Sequence, residues 1–272
     1  MLRQPAVSGM FYSADESRLK EQLARAFANA AQTRAESRKV IGIIAPHAGY
    51  EYSGFTAARA YSAIGKSHSK TFIILGPNHT GTGSEISVSV WNRGAWLTPL
   101  GECKIDEIVA GKIISKSAIA KADARAHIQE HSIEVQIPFL QFLFGNEIKV
   151  VPICMADQSI SAAQDIAKAV LSLDEEVTII ASSDFTHYEG KKEVERKDAE
   201  AIKAIESLDV PRFYNALEEN DISACGFGPI AVLMLVAKAK GAKIKRIAQT
   251  TSGDITGETK SVVGYAAMKA IL

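Results

Sequence analysis

The stretch VIGIIAPHAGY at residues 40–50 decides the fold of this 272-residue chain. Its first six residues are apolar or glycine, and a turn that contains His47 follows directly. An apolar run of this kind is typical of a strand that is buried on both faces. Such strands occur in parallel or mixed sheets that are covered by helices. The stretch therefore predicts an α/β protein with a mostly buried central sheet.

Two further stretches repeat this pattern, TFIILGPNHTG at residues 71–81 and VTIIASSDFTH at 177–187. Each apolar run ends in a short polar cluster, which contains His79 in the first stretch and His187 in the second. The loops at the carboxyl ends of parallel strands converge on one crevice, where ligands bind. We therefore expect histidines from three strands to lie close together, as in a metal site or an acid–base site.

Helical and strand patterns alternate along the chain, without a low-complexity linker or an internal repeat. This alternation predicts a single domain over residues 1–272, a three-layer α/β/α sandwich with a mixed, mostly buried central sheet. Strand 86–91 alternates apolar and polar residues, which favours an edge position. The other predicted strands span residues 40–45, 71–76, 148–154, 177–182, 243–250 and 261–268. The predicted helices span 14–31, 54–64, 106–115, 128–144, 162–173, 191–207, 210–217 and 230–240.

The composition argues against several classes of protein. Hydrophobic residues make up 47% of the chain, and 31 basic and 31 acidic residues give no net charge that would favour a nucleic-acid partner. No apolar run approaches the ~20 residues that span a bilayer, so no membrane partner is expected. Three widely spaced cysteines without a CxxC motif favour a reducing, cytoplasmic location. The HExxH, phosphate-loop and GxSxG motifs do not occur.

The loops around His47 and His79 are rich in glycine, which lets a backbone turn tightly and pass close to a ligand. Because neutral imidazole is the commonest metal ligand, both side chains are candidate ligands, although each alone could be a hydrogen-bonded loop residue. Cys225 precedes a predicted helix, since Pro229 suits a first helical position. A helix N-terminus favours the thiolate, so we expect Cys225 to be a ligand or a reactive thiol.

Carboxylates and two further histidines supply candidate catalytic residues. His187 is the candidate general base. For Asp184 three roles are open: holding that imidazole in one tautomer, binding the metal, or capping the next turn. His131 and Glu134 lie on neighbouring faces at the start of the predicted helix 128–144. There His131 could assist catalysis and Glu134 could bind substrate, or the segment could form an ion pair at the helix start.

Six short motifs together resemble the Memo family, and they cover nearly the whole chain in the order of that family. The resemblance implies a fold similar to that of the class III extradiol ring-cleaving dioxygenases. The motifs are PAVSGMFY (5–12), PHAGY (46–50), GPNH (76–79), EHSIEVQ (130–136), SDFTHY (183–188) and CG (225–226).

The resemblance also implies a ligand set. In those dioxygenases two histidines and one carboxylate hold iron, and a further histidine is the base. By position, His47 and His79 match the two imidazole ligands, Cys225 replaces the carboxylate, and His187 matches the base. A thiolate favours copper or zinc more than an oxygen ligand does, so the expected cofactor is a divalent or redox metal ion: iron or copper, with zinc as the alternative. Microbial members of the family also imply a functional link to a radical S-adenosylmethionine protein.

Three functions are compatible with these residues. The first is a metal-dependent oxidoreductase, similar to a dioxygenase, that acts on a small molecule in a pocket lined by Tyr50, Tyr52 and Phe185. The second is a non-catalytic module that binds a peptide or a phosphorylated ligand in the same crevice. The third is a zinc-dependent hydrolase. Metal content separates the first from the second, and dependence on oxygen separates the first from the third.

Overall fold

The computed structural model describes residues 1–30, 38–65 and 69–272. Most of the predicted polar link at 32–39 lies outside these residues, and so does His68, which its polar surroundings predict to be solvent-exposed. The described strands are β1 (Leu2–Arg3), β2 (Val40–Ala45), β3 (Thr71–Pro77), β4 (Val88–Val90), β5 (Ala95–Thr98), β6 (Gly101–Ile105), β7 (Ala120–Ala122), β8 (Lys149–Met155), β9 (Val177–Ser182), β10 (His187–Glu189), β11 (Lys243–Thr251) and β12 (Val262–Ile271). The described helices are α1 (Glu16–Asn29), α2 (Tyr50–Ser62), α3 (Glu107–Lys116), α4 (Arg125–Ile128), α5 (Ile137–Phe144), α6 (Ile160–Leu171), α7 (Lys191–Glu206), α8 (Val210–Glu219), α9 (Phe227–Ala239) and α10 (Gly253–Thr256), and a short 3-10 helix at Glu134–Gln136 precedes α5.

The centre of the sheet consists of β8, β3, β9 and β2, which run parallel in that spatial order. Nearly all of their residues are buried, as the apolar runs predict. Next to β2 lies the antiparallel β12, which also pairs with β11, so the sheet is mixed. Because β3, β9 and β2 are adjacent and parallel, the loops that follow them leave the sheet at the same edge.

Alternate residues of the central strands face two separate layers of helices. Ile43 and Phe72 pack with the apolar faces of α1, α2 and α5 on one side of the sheet. Their neighbours Ile44 and Ile73 pack with α3, α6, α7, α8 and α9 on the other side. This alternation follows from the two-residue period of a strand and produces the three layers that the sequence predicts. The fold is the α/β/α sandwich expected from the resemblance.

The short strands β1, β5, β6, β7 and β10 were not predicted, and two predicted segments differ in the structure. Strand β4 is buried and pairs with both β7 and β8, although its alternating sequence predicts an edge strand. Ser89, its one polar residue, is buried because its hydroxyl donates to Asp123 Oδ2. The single helix predicted over 128–144 is wrong, since α4 ends at Ile128 and α5 begins only at Ile137. No helix in the described ranges is long and apolar enough to cross a membrane.

Candidate metal centre

Three imidazoles meet at the carboxyl edge of the sheet. His47 follows β2 by two residues, His79 follows β3 by two residues, and His131 comes from the segment between α4 and α5. The ring centroids of His47 and His79 are 5.0 Å apart, and that of His131 lies 5.4 Å from the first and 4.6 Å from the second. One nitrogen from each ring lies within 4.8 Å of the others. This group could therefore hold a metal ion.

The segment that carries His131 is not helical because a buried guanidinium binds its backbone. Arg3 Nε donates to the carbonyl of His127 (2.7 Å), and Arg3 Nη2 donates to the carbonyl of Glu130 (2.8 Å). These two carbonyls therefore bond to Arg3 and not to the N–H groups of a helix that continues beyond α4. The segment also packs closely on the end of β3, where a Cβ at Gly76 would lie 2.5 Å from Ser132 Oγ. His131 reaches the other two histidines from this position.

The ring of His47 is held in one tautomer by Ser182, the last residue of β9. Ser182 Oγ donates its only proton to the carbonyl of Ser132 (2.7 Å) and accepts a hydrogen bond from Gln136 Nε2 (2.8 Å). Its 2.8 Å contact with His47 Nδ1 must therefore be donated by Nδ1–H. His47 Nε2 is then unprotonated, as a metal ligand requires. Burial, followed by the nearby imidazole of His79, lowers the pKa of His47 well below its usual value and keeps the ring neutral.

Glu130 fixes the ring of His79 in the same way. Its Oε1 lies 2.9 Å from His79 Nδ1, and its Oε2 accepts a 2.6 Å hydrogen bond from the His79 backbone N–H. Burial opposes ionisation of Glu130, but the hydrogen bonds from His79 and from the Ser132 N–H, with the nearby imidazole of His131, lower its pKa to about 2. The carboxylate can only accept, so His79 Nδ1 carries a proton and Nε2 is the ring nitrogen left for a metal ion.

Cys225 lies beside this group and contacts one of its members. Its Sγ is 3.0 Å from His47 Nε2 and accepts a 3.3 Å hydrogen bond from the Asp184 backbone N–H. In the described part of the chain, the three ligand atoms that lie close to one another belong to His47, His79 and His131. The sulfur of Cys225 is not among them. Cys225 precedes α9 by two residues, yet burial and the nearby carboxyl of Asp184 raise the pKa of its thiol. The thiolate expected from the helix N-terminus is thus not favoured, because desolvation outweighs the helix dipole.

Asp184 supports the loop of His47 rather than the ring of His187. Its Oδ1 accepts a 2.8 Å hydrogen bond from the His47 backbone N–H. Burial raises the pKa of Asp184 to about 7, while hydrogen bonds from the backbone of His47 and Ala48 and the nearby imidazole of His79 oppose the shift. This contact stabilises the loop of His47, which is 137 residues away in sequence, and not the turn that follows Asp184.

His187 has the protonation state that a general base requires. Its Nδ1 lies 2.9 Å from the carbonyl of Ser223, which can only accept, so Nδ1 carries the proton and Nε2 is the free acceptor. Ser223 Oγ also accepts a 2.8 Å hydrogen bond from the His187 backbone N–H. Burial lowers the pKa of His187, so the ring is neutral near pH 7.

A cavity of about 520 Å³, which we call the imidazole cavity, opens at this edge of the sheet. Tyr52 lines it, as the sequence predicts for this residue. Its volume lies within the range typical of small-molecule sites. Other members of its lining are His47, His79, His131, His187, Asp184, Met10, Phe11, Tyr188 and Tyr265.

Three residues predicted for this pocket are placed elsewhere. Phe185 is fully buried in the core, with its backbone N–H bonded to the carbonyl of Gly264. Tyr50 is buried, donates to the carbonyl of Val135 at 2.6 Å, and lines a neighbouring cavity instead of this one. Glu134 is fully buried and forms an ion pair with Arg3 at 2.7 Å. The two aromatic rings and the paired carboxylate are therefore buried. The sequence pattern alone does not distinguish a buried residue from one that lines the cavity.

Several residues that shape the site were not singled out from the sequence. Ser182 and Gln136 orient His47, and Ser223 orients His187. Met10 and Phe11 line the cavity, and the ring of Phe11 lies 4.8 Å from that of His131. Met10 and Phe11 belong to the motif PAVSGMFY, which is far from the histidines in sequence but is part of the same family resemblance. Their place in this motif could have indicated a role at the site.

Comparison with known proteins shows the family of this chain. A family model described as Memo-like protein matches residues 3–269. A MEMO1 family protein of Thermoplasma acidophilum is 42% identical over 272 residues and is covered completely, as is this chain. MEMO1 family proteins of Sulfolobus acidocaldarius and Methanobrevibacter smithii are each 41% identical, over 99% and 98% of both chains. The resemblance inferred from the six motifs is confirmed.

Proposed function

Because the chain belongs to the Memo family, we propose that it is a metal-dependent oxidoreductase that acts on a small organic molecule in the imidazole cavity. His47, His79 and His131 would hold an iron or copper ion, with zinc as the alternative. The observation that carries this proposal is that one nitrogen from each ring lies within 4.8 Å of the others.

The chemistry of these side chains fits such an ion. Imidazole nitrogen binds iron, copper and zinc alike, and the thiol of Cys225 beside His47 adds a soft donor that favours copper or zinc. His47 and His79 each have their second ring nitrogen engaged by a hydrogen-bond acceptor, which is the usual arrangement of metal-binding histidines. A bound iron or copper ion supplies one-electron redox chemistry, and a bound zinc ion supplies Lewis-acid chemistry alone.

In this proposal His187 moves the proton. It lines the cavity with a neutral ring whose Nε2 is free, so it can accept a proton from a hydroxyl or similar group of the substrate. Tyr52 and Phe11 would exclude water from one side of the substrate. Asp184 would keep the loop of His47 in place through its backbone hydrogen bond.

Elemental analysis of protein purified without oxygen tests the metal site. We expect about one ion per chain in the wild type and strong loss of metal in His47→Ala, His79→Ala and His131→Ala. Cys225→Ser tests whether the thiol is a fourth ligand. The substitution should lower the metal content if the sulfur binds the ion, and should leave it unchanged if the sulfur is only a neighbour. A wild-type protein that purifies without metal and binds none in titration would contradict the proposal and favour a non-catalytic binding module.

A second experiment separates a base from a ligand. His187→Ala should keep the metal content of the wild type and lower turnover by about 10²–10⁴-fold, because a general base contributes about that much. Loss of metal from this variant would instead make His187 a ligand. Screening for turnover with and without oxygen distinguishes an oxidoreductase from a zinc-dependent hydrolase.

A further inference from the structure

The imidazole cavity adjoins a second, larger cavity. This outer cavity has a volume of about 700 Å³ and lies between α1 and the first turns of α2. Met10, Phe11, Gly49 and Tyr52 line both cavities, and the side chains of Met10 and Tyr52 are exposed at this boundary. A molecule bound near the three imidazoles could therefore extend across this boundary into the outer cavity.

The walls and mouths of the two cavities expose apolar side chains that proteins usually bury. Of the eleven large hydrophobic side chains exposed in the described chain, four line these cavities: Met10, Tyr52, Tyr188 and Ile255. Phe55 adds an aromatic ring to the wall of the outer cavity. Such a concentration of exposed apolar surface marks a place where an apolar ligand binds.

The outer end of this second cavity is polar. Arg18, Glu21 and Arg25 on α1 and Glu51 on α2 contribute to its lining, and no ion pair joins them in the part of the chain that the structure describes. Their opposite signs leave this end without a strong preference for one charge. A ligand that fills both cavities thus passes from polar imidazoles, over an apolar middle, to a polar end near solvent.

We propose that the substrate is an elongated amphipathic molecule, with a polar metal-binding head in the imidazole cavity and an apolar body in the outer cavity. This inference rests on the proposed function, since the head needs a metal to bind. A compound of one small ring would fill only the first cavity and leave the apolar surface of Phe55 and Ile255 in water. Burial of that surface by the body of the ligand would strengthen binding.

Linear alkyl hydroxamic acids are suitable probes, because the hydroxamate binds a metal ion and the chain length can be varied. Affinity for the metal-loaded full-length protein is measured by calorimetry from acetohydroxamic to decanohydroxamic acid. We expect the dissociation constant to fall by roughly three- to fourfold for each methylene that becomes buried. The gain should stop once the chain has filled the outer cavity.

Two variants locate the chain. Ile255→Ser removes apolar surface at an exposed position and should weaken the binding of decanohydroxamic acid about fivefold without affecting acetohydroxamic acid. Ala26 is a buried residue of α1 that also lines the outer cavity, so Ala26→Phe should narrow this cavity and end the gain in affinity at a shorter chain, provided that circular dichroism shows the variant to be folded. Ile108→Ser is the matched control, since Ile108 is likewise exposed but lies on α3, outside both cavities.

The outcomes distinguish the two proposals. If acetohydroxamic acid binds but affinity does not rise with chain length, the elongated substrate is excluded and the metal centre stands. An equal gain with chain length in wild type, Ile255→Ser and Ala26→Phe would place the chain elsewhere and also overturn this inference. If no hydroxamic acid binds the metal-loaded protein at all, the metal centre is not in this cavity, and the proposed function fails as well.

Discussion

At the scale of single residues, a serine decides which nitrogen of His47 can bind a metal. Ser182 Oγ has one proton, which it donates to the carbonyl of Ser132, so its contacts with Gln136 Nε2 and His47 Nδ1 are both accepted. Three groups therefore depend on one hydroxyl, and the neutral ring presents its unprotonated Nε2. Orientation of a ligand by a hydrogen bond of this kind raises metal affinity.

Ser182→Ala should therefore weaken metal binding without removing a ligand. Loss of the acceptor lets the ring of His47 rotate or change tautomer, and we expect metal affinity to fall about 10- to 100-fold. Competition with a chromophoric chelator measures this change. Ser89→Ala is the control, because it also removes a buried serine hydroxyl that donates one hydrogen bond, but on β4 away from the imidazoles. Equal losses of affinity in both variants would contradict the role of Ser182.

At the scale of elements, the N-terminal segment holds the loop that carries His131. Arg3, in β1, forms a buried ion pair with Glu134 and stacks over Trp96, with 4.0 Å between the guanidinium carbon and the ring centroid. Glu134 in turn accepts hydrogen bonds from the hydroxyl of Tyr12 (2.6 Å) and from the backbone N–H of Val7 (3.1 Å). Two segments far apart in sequence are thus joined around one buried pair of charges.

Arg3→Met should destabilise the fold and the metal site together. The change leaves the carboxylate of Glu134 buried without its partner, which typically lowers the free energy of unfolding by about 3–5 kcal/mol. The double variant Arg3→Met/Glu134→Gln removes the uncompensated charge and should recover part of this loss. Urea denaturation of the three proteins measures both effects. A double variant less stable than Arg3→Met would show that the ion pair is not the source of the loss.

The same segment shows where prediction from the sequence ends. The strands β2, β3 and β9, and with them the approach of His47 and His79, follow from apolar runs that are local in sequence. The loop of His131 does not, because its backbone partner Arg3 lies more than 120 residues away. The apolar pattern of 128–144 therefore predicts one continuous helix, whereas the structure has α4, a non-helical segment, and then the 3-10 helix Glu134–Gln136 before α5.

At the scale of the whole molecule, burial rather than local charge decides how several site residues differ from the predictions. Cys225 stands next to a helix start, which favours a thiolate, but its surroundings desolvate it and raise the pKa of its thiol. Phe185 follows a strand in the same cluster as His187, yet its ring is part of the core. Desolvation depends on all the helices and strands that pack over a residue. A short motif such as SDFTHY therefore predicts which side chains come together, but not how deeply each side chain is buried.

A buried carboxyl group outside the site makes the stability of the whole fold depend on pH. Asp198, on α7, is buried, and its Oδ1 accepts hydrogen bonds from the hydroxyl (2.6 Å) and the backbone N–H (3.1 Å) of Thr186. Its Oδ2 has no hydrogen-bond partner in the structure and lies so close to Gly264 that a Cβ there would be 1.8 Å away. Burial raises the pKa of Asp198 to about 6, although the hydrogen bonds from Thr186 oppose the shift.

This raised pKa predicts that the protein loses stability as the pH increases from about 4 to about 6. In that range the folded state keeps the proton of Asp198, whereas the unfolded state, with a pKa near 3.8, has released it. The folded state binds more protons, so the free energy of unfolding falls with rising pH, by about 3 kcal/mol at most from this group.

The asparagine of Asp198→Asn cannot titrate, so this variant should lack the part of the pH dependence that comes from Asp198. Urea denaturation at pH 4.5 and pH 7 measures it as the difference between the two proteins. If the wild type and Asp198→Asn change equally between these pH values, Asp198 is ionised in the folded protein throughout, and its unpartnered oxygen must be stabilised by a contact other than a proton.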